Sequence, residues 1–358
     1  MVPEEEYMMQ AIDLAKKGRG FVSPNPLVGC VIVKNNKIIG EGYHEKYGME
    51  HAEINALNNC SESPNDADMY VTLEPCSIFS KTPPCVEQIV ANGIKNVFIG
   101  TKDTNPKING SGVDALKYNG VNVYEGLLEK KCYELNKGFF NWITHKRPWV
   151  IVKAAQSKNG YLGIDSTSQT WLTGSDTNKY THKLRAKVDA IVIGRNTAEV
   201  DDPSLTVREV IGNNPKRIVL DTFRKLPLTL KMFNDNLSEN IVLCSKEKFE
   251  HNKTPFCKYI PIQESNNVLD LNNVLDVLGD QGITSILVEG GAKLIKSFID
   301  SNLIDEIYLY TSNRKLDNAT LVNPLEINEE NWTITQTKEF DNDNLIIARK
   351  KELCFQEL

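Results

Sequence analysis

Four residues stand out for the chemistry their types and spacing allow: His51, Glu53, Cys76 and Cys85. His51-Ala52-Glu53 is followed at Pro75 by Pro-Cys-Ser-Ile-Phe-Ser-Lys-Thr-Pro-Pro-Cys. One imidazole and two thiolates make a three-ligand zinc set, with a fourth position left for water. Zinc lowers the pKa of that water to about 7, and a nearby carboxylate can then shuttle its proton. Glu53 comes two residues after the histidine, near a helix start, where it can reach the water without binding the metal. A closed structural zinc site is the alternative, and His44 is the nearest fourth ligand in sequence. The other six cysteines (Cys30, Cys60, Cys132, Cys244, Cys257 and Cys354) are scattered among ordinary neighbours and do not read as a disulfide framework.

Two further stretches suggest ligand binding. Val288-Glu289-Gly290-Gly291-Ala292 ends a predicted strand and opens a predicted helix. Glycines there let backbone approach a ligand, and the helix start offers free N–H groups to a pyrophosphate. The second stretch, Thr197 to Arg208, follows a buried predicted strand that ends at Gly194. No G-x-G-x-x-G follows a strand, so a Rossmann fingerprint is absent.

These residues need elements to position them. Apolar spacing predicts helices over Glu4–Lys17, His51–Asn58, Cys85–Asn92 and Leu127–Ile143. Predicted strands cover Val28–Lys34, Lys37–Gly42, Met69–Leu73, Lys95–Gly100 and Val121–Tyr124, with Asn35-Asn36 as a hairpin turn. A polar stretch ending in Pro148 marks the boundary, giving domains 1–147 and 148–358. Beyond it, strands are predicted at Trp149–Ala154, Ala190–Gly194, Arg217–Asp221, Ile241–Cys244, Ser285–Val288 and Ile307–Thr311. Helices are predicted at Tyr180–Ala186, Asn266–Leu278 and Ala292–Ser301, while 313–331 is polar and gives no clear element. The class is α/β in both halves. The 358 residues carry 41 Lys and Arg against 47 Asp and Glu, a net charge of −6 that argues against a protein-wide polyanion-binding surface. No apolar run reaches the ~18–20 residues of a membrane span, and the acidic N-terminus does not resemble a secretory signal. A cytoplasmic protein is the expectation.

The H-x-E and P-C pairing follows the logic of zinc-dependent deaminases, which place two residues between the cysteines. Here eight residues lie between Cys76 and Cys85. With that gap, the Lys81-Thr82-Pro83-Pro84-Cys85 ending and Asn25-Pro26-Leu27-Val28-Gly29, the chain closely resembles the bifunctional deaminase–reductase family of riboflavin biosynthesis. The resemblance runs through both halves. It implies an N-terminal cytidine-deaminase-like three-layer domain and a C-terminal dihydrofolate-reductase-like domain. It also implies Zn2+ and NADPH as cofactors and a small phosphoribosyl-pyrimidine as substrate, first deaminated and then reduced from ribosyl to ribityl. A homo-oligomer without nucleic-acid or membrane partners is expected.

By motif position the resemblance makes Asn25, His44, Lys81 and Asn105 deaminase substrate contacts, with Lys81 on phosphate. Ala155, Trp171, Thr197, Asp201, Thr222 and the run Gly291, Ala292, Lys293, Leu294, Ile295, Lys296 and Ser297 become cofactor contacts. Arg185, Leu205, Arg208 and Glu289 become reductase substrate contacts, and Lys153 joins them as a candidate proton donor. A guanidinium fork suits Arg185 and Arg208 to phosphate. Some positions depart from the family pattern: Ile78 replaces a histidine, Asn159 an aspartate and Gln169 a serine, and Ser312–Leu316 lacks glycine. Three rivals stay open: a deaminase with a degenerate reductase half, a nucleic-acid deaminase with a binding appendage, and a non-catalytic regulator that keeps zinc for stability.

Overall fold

The computed structural model describes residues 2–78, 83–106, 108–164, 167, 169–250 and 254–351. The chain divides into two compact units, Met1–Lys146 and Arg147–Leu358.

The first unit contains helices α1 (Pro3–Ala15), α2 (Ala52–Asn58), α3 (Cys85–Ala91), α4 (Ser111–Tyr118) and α5 (Glu129–His145). Its strands are β1 (Gly29–Lys34), β2 (Lys37–Tyr43), β3 (Asp68–Leu73), β4 (Asn96–Thr101) and β5 (Asn122–Glu125), ordered β2-β1-β3-β4-β5 among the described residues. Asn35 and Asn36 take φ of 52° and 60°, the left-handed pair that a tight β1–β2 hairpin requires. Alternation along β1 separates two buried faces. Cys30 and Ile32 pack with Ala52 and Ala56 of α2, Val86 and Ile89 of α3 and Leu116 of α4. Val31 and Val33 pack with Met8, Ala11 and Ile12 of α1 and Cys132 of α5. The sheet thus has helices on both sides.

Direction determines what the sheet presents at one end. β1 is antiparallel to β2 and β3, and β3 is parallel to β4. The segment before β1 and the segments after β2, β3 and β4 therefore meet at one end. Those segments carry Asn25, His44, Cys76 and Asn105.

The second unit has strands β6 (Trp149–Gln156), β7 (Tyr161–Gly163), β8 (Ala190–Gly194), β9 (Lys216–Leu220), β10 (Asn240–Ser245), β11 (Lys258–Ile262), β12 (Glu264–Ser265), β13 (Val268–Leu269), β14 (Ser285–Val288), β15 (Glu306–Ser312), β16 (Leu321–Val322), β17 (Trp332–Glu339) and β18 (Asp343–Lys350). Its helices are α6 (Ser175–Arg185), α7 (Arg195–Asp201), α8 (Lys231–Asn234), α9 (Leu271–Asp280) and α10 (Ala292–Asp300). The main sheet runs β11-β10-β9-β8-β14-β6-β15-β18-β17 among the described residues. It is parallel from β11 to β15 and antiparallel at β18 and β17. Val150, Val152 and Val192 pack on α9 and α10, and Ile151, Ile191 and Ile193 pack towards α6, α7 and α8.

The helix expected at Asn266–Leu278 begins only at Leu271. Asn266 and Asn267 have φ of 52° and 63° and turn the β12–β13 hairpin. Asp270 then caps α9 by accepting from the amides of Asn272 and Asn273. Elements not anticipated are α4, α7, α8, β7, β11, β12, β13, β16 and the C-terminal pair β17–β18.

Candidate functional sites

In the first unit the chain converges on one nitrogen and two sulfurs. His51 is the N-cap of α2, Cys76 follows β3, and Cys85 opens α3. His51 Nδ1 lies 3.2 Å from Cys85 Sγ and 3.5 Å from Cys76 Sγ. All three donor atoms fall within 4.8 Å of one another. Tetrahedral zinc with bonds of about 2.0–2.3 Å needs donors about 3.5–3.8 Å apart, so the set fits that ion. The Cys85 amide donates to Cys76 Sγ at 3.4 Å, which places the helix start against a sulfur. The hydrogen bond from the Cys85 thiol, with those from His51 and the Cys85 amide, draws the Cys76 thiol well below its ordinary range against the upward push of burial. Cys85 is pushed up by the same sulfur partner and by burial. The bond to Cys76 raises His51 to about 9.

His44 does not close the site. Its Nδ1 bonds the Glu50 carbonyl at 2.9 Å and its Nε2 meets Asn25 Nδ2 at 3.1 Å. Nδ1–H is therefore the donor to Glu50, and Nε2 accepts from Asn25. Burial lowers the His44 pKa, which favours this neutral form. The two imidazoles pack edge-on at 5.5 Å, so Asn25, His44 and His51 form one continuous wall. Among the described residues, the metal-binding group comprises His51, Cys76 and Cys85 alone, which leaves one position open. Glu53 sits in the first turn of α2 and is 3 % exposed, with burial raising its pKa.

Glu74 was not singled out from the sequence, yet it organises the opposite wall. Its carboxylate accepts from the amides of Asp103, Gly110, Gly112 and Val113, at 2.9–3.4 Å. It ties the loop after β4 and the start of α4 to the Pro75-Cys76 turn. Gly112 is required there, because a Cβ would fall 2.0 Å from the Pro75 carbonyl. Ser77 and Ser111 close the same seam at 2.6 Å. Asn105 is half-buried in this loop, its amide bonded to Asp103 at 2.8 Å. Burial lifts Asp103 to about 6. A buried acid just after a strand was the available signal for Glu74. Lys81 lies outside the described residues.

In the second unit the carboxyl ends of parallel β8, β14, β6 and β9 lie side by side, where open α/β sheets bind ligands. Arg185 of α6 forms a bidentate pair with Glu289, Nε to Oε1 at 2.7 Å and Nη2 to Oε2 at 2.8 Å. Its remaining Nη1 donates to the Thr206 carbonyl at 3.2 Å. Against the upward push of burial, Arg185 holds Glu289 down at about 2. Lys153 is close enough to feel both charges. Burial lowers its pKa, and its Nζ sits 5.7 Å from the centre of the Tyr310 ring. Leu205 is buried with φ of 50°, and the exposed Arg208 donates to Thr206 Oγ1 at 3.1 Å. Lys153, Arg185, Leu205, Arg208 and Glu289 thus share one neighbourhood. The bidentate edge of Arg185 is taken up by Glu289.

The expected cofactor residues gather less tightly. Gly291 caps α10 without a side-chain cap, leaving the amides of Ala292, Lys293 and Leu294 at the helix start, whereas the Ile295 amide donates to the Gly291 carbonyl and its side chain is buried in the core, so Ile295 does not fit the cofactor contact expected of it. A Cβ on Gly291 would lie 3.7 Å from Thr197 Oγ1, and one on Gly194 would meet open space. Glycine at both helix starts keeps a side chain off the backbone there, an arrangement that suits a dinucleotide pyrophosphate. Ala155 lies near the end of β6, and Thr222 follows β9 beside Asp221, whose buried Oδ1 has no hydrogen-bond partner. Asp201, its pKa raised by burial, ends α7. Lys293, Leu294, Ile295, Lys296 and Ser297 follow on α10. Trp171 stands apart, 65 % exposed after β7.

Residues 1–101 match the family described as the cytidine and deoxycytidylate deaminase zinc-binding region, and residues 148–346 match the RibD C-terminal domain. The riboflavin biosynthesis protein RibD of Aquifex aeolicus is 38 % identical over 354 residues, covering 97 % of this chain and 98 % of that protein. The Escherichia coli protein of the same name is 34 % identical, covering 87 % and 88 %. A crystal structure from Thermotoga maritima superposes with a TM-score of 0.87 at 32 % identity, covering 97 % of this chain and 99 % of that one. It is described as a diaminohydroxyphosphoribosylaminopyrimidine deaminase/5-amino-6-(5-phosphoribosylamino)uracil reductase.

Proposed function

The chain belongs to the bifunctional RibD deaminase–reductase family of riboflavin biosynthesis, and from that premise we propose which residues carry each reaction. The enzyme deaminates a diaminopyrimidine phosphoribosyl substrate with Zn2+ and reduces the product's ribosyl group with NADPH.

For deamination the supporting observation is the convergence of His51, Cys76 and Cys85 with buried Glu53 beside them. Zinc held by these three supplies an acidified water. With zinc held there, Glu53 Oε would carry the water's proton to the amino nitrogen as the water oxygen bonds to the ring carbon and the C–N bond breaks. Asn25, held through His44, and Asn105, held through Asp103 and Glu74, orient the pyrimidine ring. Lys81 meets the phosphate.

For reduction, the start of α10 from Gly291 to Ser297, apart from the buried Ile295, would hold the NADPH pyrophosphate with Thr197, and Ala155, Trp171, Asp201 and Thr222 would complete its contacts. NADPH supplies the hydride. Glu289 is kept ionised by Arg185 and faces the ribose. Lys153 delivers a proton to the new hydroxyl oxygen. Arg208 grips the substrate phosphate, because the fork of Arg185 is engaged by Glu289. Leu205 shapes the segment on which Arg208 sits. We read the working form as a cytoplasmic homo-oligomer acting on this small molecule alone.

A decisive test combines metal analysis with two assays on the diaminopyrimidine phosphoribosyl substrate: ammonia release, and NADPH oxidation with and without prior deamination. One zinc per chain, with both activities, is expected. A metal-free active protein, or ammonia release without any NADPH oxidation, would overturn the corresponding half.

A further inference from the structure

We propose that His182 is a positioning residue of the reductase, fixing the phosphate-gripping segment 205–208 through its Nδ1 as an unprotonated acceptor. The inference rests on the reading that Arg208 holds the substrate phosphate.

His182 and Arg185 are three residues apart in the last turn of α6, so they share a face. His182 is 5 % exposed, and its Nδ1 lies 3.1 Å from the amide nitrogen of Arg208. A backbone N–H can only donate, so Nδ1 is bare and the ring proton sits on Nε2. Neighbouring groups pin the same segment at successive atoms. Arg185 donates to the Thr206 carbonyl at 3.2 Å, and Asn214 Oδ1 accepts from the Val207 amide at 2.8 Å. The segment needs this restraint, because Leu205 is a non-glycine residue at φ of 50°. Without His182 the Arg208 amide loses its partner and the guanidinium loses its register.

The surroundings favour the neutral ring. Burial comes first, followed by the cations Arg185 on the same helix and Arg208 on the segment. Glu209 on the segment and Glu289 after β14 oppose them, and the net direction is downward from 6.5. Protonation of Nδ1 would set two donors against each other and release the segment.

The test compares His182→Leu, His182→Asn and Arg208→Gln in the intact enzyme. The readouts are KM and kcat for the deaminated substrate across about pH 5.5–8.5, and Ki for ribose 5-phosphate. His182→Leu is expected to raise KM and Ki about tenfold with kcat within about twofold. His182→Asn, whose Oδ1 can accept in place of Nδ1, should stay within about twofold of wild type and lose the His182 part of the acid-side rise in KM. In the wild type, nitrogen-15 NMR should show His182 Nδ1 unprotonated and Nε2 protonated near neutral pH, whether or not the leucine variant folds. The inference falls if Nδ1 carries the proton, if leucine and asparagine variants are equally impaired, or if leucine changes neither constant. Should Arg208→Gln leave both constants unchanged, the phosphate reading falls and takes the inference with it. Should Arg208→Gln raise them while His182→Leu does not, the inference alone falls.

Discussion

Burying a carboxylate is unfavourable unless it is paired or used, and Glu53 is 3 % exposed among residues that would ligate a cation. A site built only for stability has no need of it. Glu53→Gln keeps the shape and removes the proton carrier. Ammonia release should then fall by at least about 100-fold, the usual scale for losing a general acid–base group. Zinc measured by atomic absorption should stay at the wild-type level. Retained ammonia release would remove Glu53 from the chemistry. Lys153 makes the parallel case in the reductase. Burial lowers its pKa from 10.5, so the protonated amine is a better acid than an exposed lysine. If it protonates the new hydroxyl, kcat falls as pH rises through that lowered pKa. Lys153→Met should lose this alkaline limb and about 100-fold in kcat, read from NADPH absorbance. Full turnover in that variant would remove Lys153 from the mechanism. The convergence of His51, Cys76 and Cys85 was legible in the sequence because ligand chemistry restricts residue type and spacing. Glu74 and His182 are much fainter in the sequence, Glu74 showing only as an acid just after a strand, because each acts on backbone amides, which leave no mark in the partner's side chains.

Helix α4 illustrates what an element contributes. Gly110-Ser111-Gly112 reads locally as loop, yet α4 starts there because Glu74 accepts its first amides and Gly112 lets it abut Pro75. Gly112→Val would force the Pro75-Cys76 turn away from the helix. Overpacking of this kind costs roughly 1–3 kcal/mol, so the deaminase unit should melt earlier. Zinc retained against a competing chelator should drop at least about tenfold, since Cys76 moves with the turn. Calorimetry and metal analysis check both outcomes, and unchanged zinc retention would show that α4 does not brace the ligand. Other elements escaped sequence reading for comparable reasons. β17 alternates polar and β-branched residues on an exposed edge and lacks an apolar face, so only its pairing with β18 defines it. Asn266-Asn267 looked like the start of a helix, but left-handed asparagines turned a hairpin instead. Buried parallel strands such as Ala190–Gly194 were legible because both of their faces are apolar.

At the scale of the whole molecule, two cores serve two chemistries. Each unit has a sheet with helices on both faces and its own buried clusters. The candidate zinc ligands all lie in Met1–Lys146, and the residues proposed for NADPH and the ribosyl group all lie in Arg147–Leu358. Metal removal should therefore act on one reaction only. A tight chelator at neutral pH is expected to abolish ammonia release. Reduction of separately supplied deaminated substrate should continue at more than about half its original rate, because structural support for that site is local. Restoring Zn2+ should bring ammonia release back. If NADPH oxidation fell in step with zinc loss, the metal would be stabilising the reductase fold as well, and the separation of the two chemistries along the chain would not hold.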